Sequence, residues 1–181
     1  MEEPDPHVVR AAKAGDLVAF ESLVRRYQAD VYRFTLHLIR DAAAAEEITQ
    51  DTFVRAYRSL GRYRGDSRFS TWLFSIARNC VRDEFRRSAR QARLTKKLEA
   101  GERSESRVEA TTAPEVHEAV GALPRDLREP VVMIDMFGLS YREVSEATGV
   151  SEGTIKSRMH RARQQLAELL APDARDGADE A

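Results

Sequence analysis

Apolar positions along this chain recur at three- and four-residue spacing, and no stretch alternates in the two-residue rhythm of a strand. Phe20, Leu23, Val24, Tyr27, Val31, Phe34 and Leu38 share one face of a long amphipathic helix. A short helix around Val8–Ala14 precedes it, Gly15 stops that helix, and Asp16 is placed to cap the next. Asp41 is placed to cap a second long helix, with Ala45, Ile48, Phe53, Ala56, Tyr57 and Leu60 inward. Its outer side carries Glu46, Glu47, Gln50, Asp51, Arg55 and Arg58. The segment GRYRGDSRFS, Gly61 to Ser70, then breaks the pattern with two glycines and turn residues. A third helix is predicted from Thr71 to about Arg87, its broad apolar face formed by Leu73, Phe74, Ile76, Ala77, Cys80, Val81 and Phe85. From Glu99 to Pro114 only Val108 is large and apolar, too little to offset the entropy of ordering, so this stretch reads as a tether. Helices over Glu115–Leu123 and from about Arg125 to Phe137 follow.

The sharpest local signal is the segment from Leu139 to Leu170. Ser140 and Glu143 make a capping box, with Leu139 and Val144 as a hydrophobic staple. Gly149 ends that helix in a left-handed conformation, and Ser151 caps the next. In this last helix Ile155, Met159, Ala162, Leu166 and Leu169 form the apolar stripe, while Ser157, His160, Arg161 and Gln164 point away from it. Lys156, Arg158 and Arg163 flank the stripe within reach of phosphates. Gly153 to Leu166 holds four Lys/Arg and no acid, which suits a helix entering a major groove. A helix-turn-helix is therefore expected.

The expected fold is all-α: two small helical domains joined by a flexible linker, the C-terminal one containing the helix-turn-helix. The domains are placed at 1–92 and 114–171, the linker at 93–113 and a disordered tail at 172–181. The formal net charge of −1 conceals a basic block, since Thr52–Leu98 holds 13 Lys/Arg against 3 Asp/Glu. Such polarity suits nucleic acid on one surface and another partner elsewhere. No apolar run approaches the roughly 20 residues of a membrane span, and the acidic MEEPDPHVVR start is unlike a secretory signal. The single Cys80 lies on an apolar helix face, as a buried structural thiol would, and fits a reducing cytoplasm. His7, His37, His117 and His160 lack ligand spacing, so no metal or other cofactor is expected.

The basic block interleaves Tyr57, Tyr63, Phe69, Trp72 and Phe74 with arginines, including Arg58, Arg62, Arg64, Arg68, Arg78, Arg82, Arg86, Arg87 and Arg90. Basic grooves with aromatic platforms hold single strands, each stacked base contributing about 1–3 kcal/mol. Asn79 and Asp83 add polar groups able to bond a base edge, whereas Phe74 reads more readily as core. No catalytic residues emerge. Asp83 and Glu84 are adjacent and diverge on a helix, and GRYRGDS lacks the lysine and glycine spacing of a phosphate loop.

Three segments in this order, DAAAAEEITQDTFVRAY, RYRGDSRFSTWLFSIARNCVRDEFRR and ALPRDLREPVVMIDMFGLSYREVSEATGVSEGTIKSRMHRARQQL, resemble the extracytoplasmic-function (ECF) sigma factors, the small two-domain members of the bacterial sigma-70 family. The resemblance spans about Leu17 to Leu170. It implies a non-enzymatic cytoplasmic subunit that binds core RNA polymerase, at the β′ coiled coil and the β subunit, and opens promoter DNA without nucleotide hydrolysis. Glu47, Gln50, Asp51 and Arg55 correspond to the surface that docks on the β′ coiled coil. Tyr63, Arg64, Ser67, Phe69, Trp72, Arg78, Asn79, Arg82, Asp83 and Arg86 correspond to the part that captures flipped bases of the downstream (minus-10) element as a single strand. Thr154, Lys156, Ser157, Arg158, His160, Arg161 and Arg163 correspond to the helix that reads the upstream (minus-35) element as a duplex. Arg158 and Arg161 suit guanine edges and phosphates equally. The tether corresponds to the linker that threads toward the RNA exit channel, and such factors are often held inactive by an anti-sigma factor. The alternative is a stand-alone helix-turn-helix regulator, which leaves the aromatic–arginine block without a purpose.

Overall fold

The computed structural model describes residues 2–95 and 114–171. All regular structure among them is helical, as expected from the periodicity. The N-terminal part contains α1 (Pro6–Lys13), α2 (Leu17–Ile39), α3 (Ala42–Ser59) and α4 (Phe69–Thr95), with a 3-10 turn at Leu60–Arg62. The C-terminal part contains α5 (Pro114–Ala122), α6 (Arg125–Val131), α7 (Tyr141–Thr148) and α8 (Glu152–Leu170). Of the linker expected at 93–113, residues 93–95 belong to α4 and 96–113 lie outside the described residues, as does the tail at 172–181.

Helix starts follow local chemistry. The Asp16 carboxylate accepts from the Val18 and Ala19 amides, and Asp41 accepts from Ala44. α4 is different, because its cap comes from far away in sequence. The Glu3 carboxylate accepts from the Phe69 and Ser70 amides at 2.8 and 3.3 Å and from the Ser70 hydroxyl. A carboxylate there satisfies amides without intrahelical partners and faces the positive end of the helix dipole. Arg26 and Tyr27 hold the strap in place by donating to the Glu2 carbonyl. Glu3→Ala should therefore cost about 1 kcal/mol in urea unfolding. An unaltered midpoint would mean that water serves the α4 amides equally well.

α2 lies at the centre of the first bundle, packing on α1, α3 and α4, while α8 rests on α5, α6 and α7. Tyr27, Val31 and Phe34 of α2 meet Phe69, Leu73 and Phe74 of α4, all nearly inaccessible. In the second bundle Leu127, Val132, Met133, Val144, Ile155, Met159 and Ala162 play the same part. Leu166 is only partly buried and Leu169 is 52% exposed, so the expected stripe of α8 ends one turn early. The helix outruns the body of the domain, leaving nothing to cover Leu169. α4 in turn runs past the expected Arg87 to Thr95, sustained by a polar sequence of good helix formers. The helix expected from Arg125 to Phe137 is α6 followed by a π turn at Val132–Met136. Pro130 has no amide for the α-helical ladder, and the widened turn carries the chain on to Gly138 at φ +70.

The two bundles share one continuous core. Phe137, just after the π turn, packs between Phe34 and Phe74 at centroid distances of 5.7 and 5.1 Å. Arg40, in a left-handed conformation at the end of α2, reaches the Gly121 carbonyl at 3.1 Å. A Cβ on Gly121 would stand 2.6 Å from the Arg40 guanidinium carbon, so that glycine lets the arginine lie against α5.

His37 of α2 and His117 of α5 also meet across the seam, ring centroids 4.6 Å apart. Burial, followed by His117 and Arg33, lowers the His37 pKa to about 4; burial and then Arg40 lower that of His117. These histidines bind protons more weakly in the folded chain than when unfolded. Their stabilising effect is complete above the ordinary value of about 6.5 and is lost as pH falls toward 4. Going from pH 7.5 to 5 should cost about 1 kcal/mol after allowance for partial exposure. Urea melts at the two pH values, with His37→Asn as control, test this; equal pH dependence in both proteins would remove the histidine from the seam's energetics.

Candidate nucleic-acid interface

Three exposed faces carry the expected site residues. On α3, Glu47 and Gln50 are exposed, with Asp51 half-buried beside them. Arg55 bridges Asp51 at 2.8 Å and Asp83 of α4 at 2.7 Å. Its pKa is raised, mainly by the bond to Asp83 and then by Asp51, so this cation is fixed between two carboxylates. Asp83, expected among the DNA-facing residues, is thus tied to the α3 side. The Cys80 thiol is buried under this face and its pKa is raised by that burial, as expected for a structural cysteine.

The loop before α4 builds an aromatic cluster. Tyr63, Phe69 and Trp72 lie within 5.1–5.8 Å of one another. Tyr63 and Trp72 are half-buried and keep accessible edges, and the Tyr63 hydroxyl donates to the Ser67 carbonyl at 2.7 Å. Phe69 corrects the sequence reading. It is 3% exposed and packs on Tyr27, so no base can stack on it here. As the first residue of α4, with its amide capped by Glu3, it turns inward rather than out with the loop. Arg64 pairs with Asp66 in the exposed loop. Farther along α4, Asn79, Arg82 and Arg86 point into solvent, and Arg86 lies 3.9 Å from Asp83.

On α8, Thr154, Lys156, Ser157, His160 and Arg161 are exposed. Gly149 at φ +70 makes the tight turn, and the Ser151 side chain accepts from the Thr154 amide, both as expected. Arg163 departs from expectation by bonding Asp135 at 2.9 Å within its own domain. Arg158 is half-buried and faces a cleft between the domains.

Arg78 is the largest departure. Only 9% of its side chain is accessible, and it bonds Glu129 of α6 through both Nε and Nη2. Nearby, Glu143 Oε1 accepts from Thr71 of α4 at 3.0 Å, and Arg68 stands 3.7 Å away. Burial works against ionisation of Glu143, yet the bonds from Ser140 and Thr71 and the charge of Arg68 hold its pKa below the usual value. The second domain thus covers part of the α4 face expected to meet a single strand. Of these seam residues, Glu143 was visible in the sequence only as a helix cap, while Glu129 and Arg40 carried no local signal at all.

The pattern of sigma-70 region 2 matches residues 23–91, and that of sigma-70 region 4 matches residues 114–166. The chain is 32% identical to the RNA polymerase sigma-H factor of Pseudomonas aeruginosa, over 97% of this chain and 98% of that one. It is 36% identical to the ECF RNA polymerase sigma factor SigM of Mycobacterium tuberculosis, over 93% of this chain and 86% of the relative. Among solved structures it resembles the sigma factor RpoE in complex with the anti-sigma factor NepR from Bartonella quintana, with 28% identity, a TM-score of 0.72 and coverage of 85% and 98%. It also resembles CnrH in complex with the cytosolic domain of CnrY, with 28% identity, a TM-score of 0.70 and coverage of 94% and 99%. With the region 2 match falling on α2–α4 and the region 4 match on α5–α8, the chain belongs to the sigma-70 family, as an RNA polymerase sigma factor of the extracytoplasmic-function type.

Proposed function

We propose that this sigma factor docks on core RNA polymerase through the exposed side of α3, captures downstream-element bases with the loop before α4 and α4 itself, and reads the upstream element with α8. The observation that carries this reading is the separation of three chemistries on three faces. The Glu47–Gln50–Asp51–Arg55 face is polar and ion-paired; Tyr63 and Trp72 cluster at the start of α4, whose exposed side carries Asn79, Arg82 and Arg86; and α8 exposes Lys156, His160 and Arg161. No helix among the described residues is long and apolar enough to cross a membrane. We place the protein in the cytoplasm with the polymerase, acting by binding rather than by catalysis.

An anti-sigma factor is a further partner on this reading, since the RpoE relative from Bartonella quintana was solved with one. Engagement with DNA requires the domains to part, because Arg78 lies beneath Glu129 while they are closed. Run-off transcription with purified core polymerase on a genomic promoter library tests the whole reading. New transcripts sharing two spaced elements support it. Specific duplex binding without polymerase and no transcripts would favour a stand-alone regulator. Arg161→Ala should weaken upstream-element binding by about 1–3 kcal/mol, read by gel shift with holoenzyme. Wild-type affinity and preference would place Arg161 off the groove.

A further inference from the structure

The seam between the domains encloses a cleft of about 200 Å3, lined from α2, α4, α6 and α8. Its walls carry five arginines and two acids, and one of those acids, Glu129, is already bonded to Arg78. Among the described residues, no carboxylate lies within ion-pair distance of Arg82, Arg125, Arg128 or Arg158, which come from three different helices.

Arg128 is the most constrained of them. Its terminal nitrogens donate only to neutral carbonyls, Leu38 at 3.1 Å, Leu123 at 3.0 Å and Gly121. Its Nε is buried without any partner. Burial, then Arg40 and Arg125, lower the Arg128 pKa to about 10, so this half-buried cation is inadequately neutralised. Arg125 lines the cleft with its guanidinium 3.6 Å from the Phe85 ring centre. Leu38, Val81 and Phe85 supply an apolar wall on one side.

We propose that this cleft binds a small phosphorylated anion of the nucleotide class, which bridges the two domains and holds them closed. A phosphate offers several oxygens in a tetrahedral arrangement and so can accept from guanidiniums arriving from different helices, which a single carboxylate cannot. The apolar wall gives a base or ribose a surface away from the charge. Because Arg82 and Arg158 line both this cleft and the expected DNA-reading faces, an occupant competes with promoter DNA. The competition rests on the DNA-reading faces proposed above, whereas binding of the anion rests only on the closed seam.

The test is calorimetric titration of the full chain, in phosphate-free low-salt buffer, with pyrophosphate and separately with ADP. One-to-one binding, weakened about tenfold or more by Arg125→Glu, is the expected result, with Arg128→Gln as a second variant. Arg125 is exposed, so its variant should fold normally. Small-angle scattering should show an unchanged or smaller radius with ligand, and a promoter fragment should displace it. Equal affinity for the two ligands means that only phosphate is read; tighter ADP means that the wall also reads the nucleoside. No saturable binding of either at about 5 mM overturns the proposal. So does binding lost in Arg161→Ala but kept in Arg125→Glu, which would put the anion on α8. Binding of a glutamate-rich peptide in preference to both ligands would overturn it in favour of an acidic protein segment.

Discussion

Phe74→Ala should lower the unfolding free energy by about 3–5 kcal/mol, a large part of what a small domain possesses. The Phe74 ring is fully inaccessible and touches Phe34 at 4.9 Å and Phe137 at 5.1 Å. Its removal leaves a void at the junction of α2, α4 and the π turn, a place that cannot collapse without moving both domains. Aromatic pairs add about 0.5–1.5 kcal/mol each beyond area, and this substitution removes two. Urea denaturation followed by circular dichroism measures the effect. A loss below about 1 kcal/mol would show that neighbouring side chains refill the site.

Glu129→Gln should have a different outcome, opening the chain more than unfolding it. Breaking a buried ion pair while keeping the surviving charge buried costs about 3–5 kcal/mol. Arg78 can avoid that cost, because parting the domains returns it to water. The expected result is a larger radius of gyration by small-angle scattering, and tighter binding of a single-stranded downstream-element fragment as Arg78 becomes available. Each domain's own helices should melt nearly as before. A wild-type radius together with wild-type affinity would mean that the aromatic contacts of Phe137 suffice to close the seam.

Much of the fold was legible because its signals are local. Asp16, Asp41, the Ser140–Glu143 box, Gly149 and Ser151 announce helix ends within three or four residues of themselves, and the structure has each where the spacing put it. The π turn was not legible, since Pro130 signals a disturbed ladder without saying how the chain absorbs it. Phe69 was read as a loop residue because the cap that turns it inward, Glu3, lies 66 positions away. The same holds for Arg78 with Glu129 and for Asp83 with Arg55: a charged residue's partner across a tertiary contact leaves no periodic trace. For Arg163 the sequence offered a basic residue flanking the apolar stripe within reach of phosphates, and only packing brings Asp135 to it.

Glu143 shows what kind of motion separates the domains. Its Oε2 accepts from the Ser140 amide and hydroxyl, both at 2.8 Å, while Oε1 meets Thr71 across the seam. The carboxylate is therefore anchored by its own helix whether or not the other domain is present. Letting go of Thr71 melts no turn and unwinds no helix. At this contact the parting of the domains is a rigid-body motion, of the kind that belongs to domain hinging rather than to local unfolding.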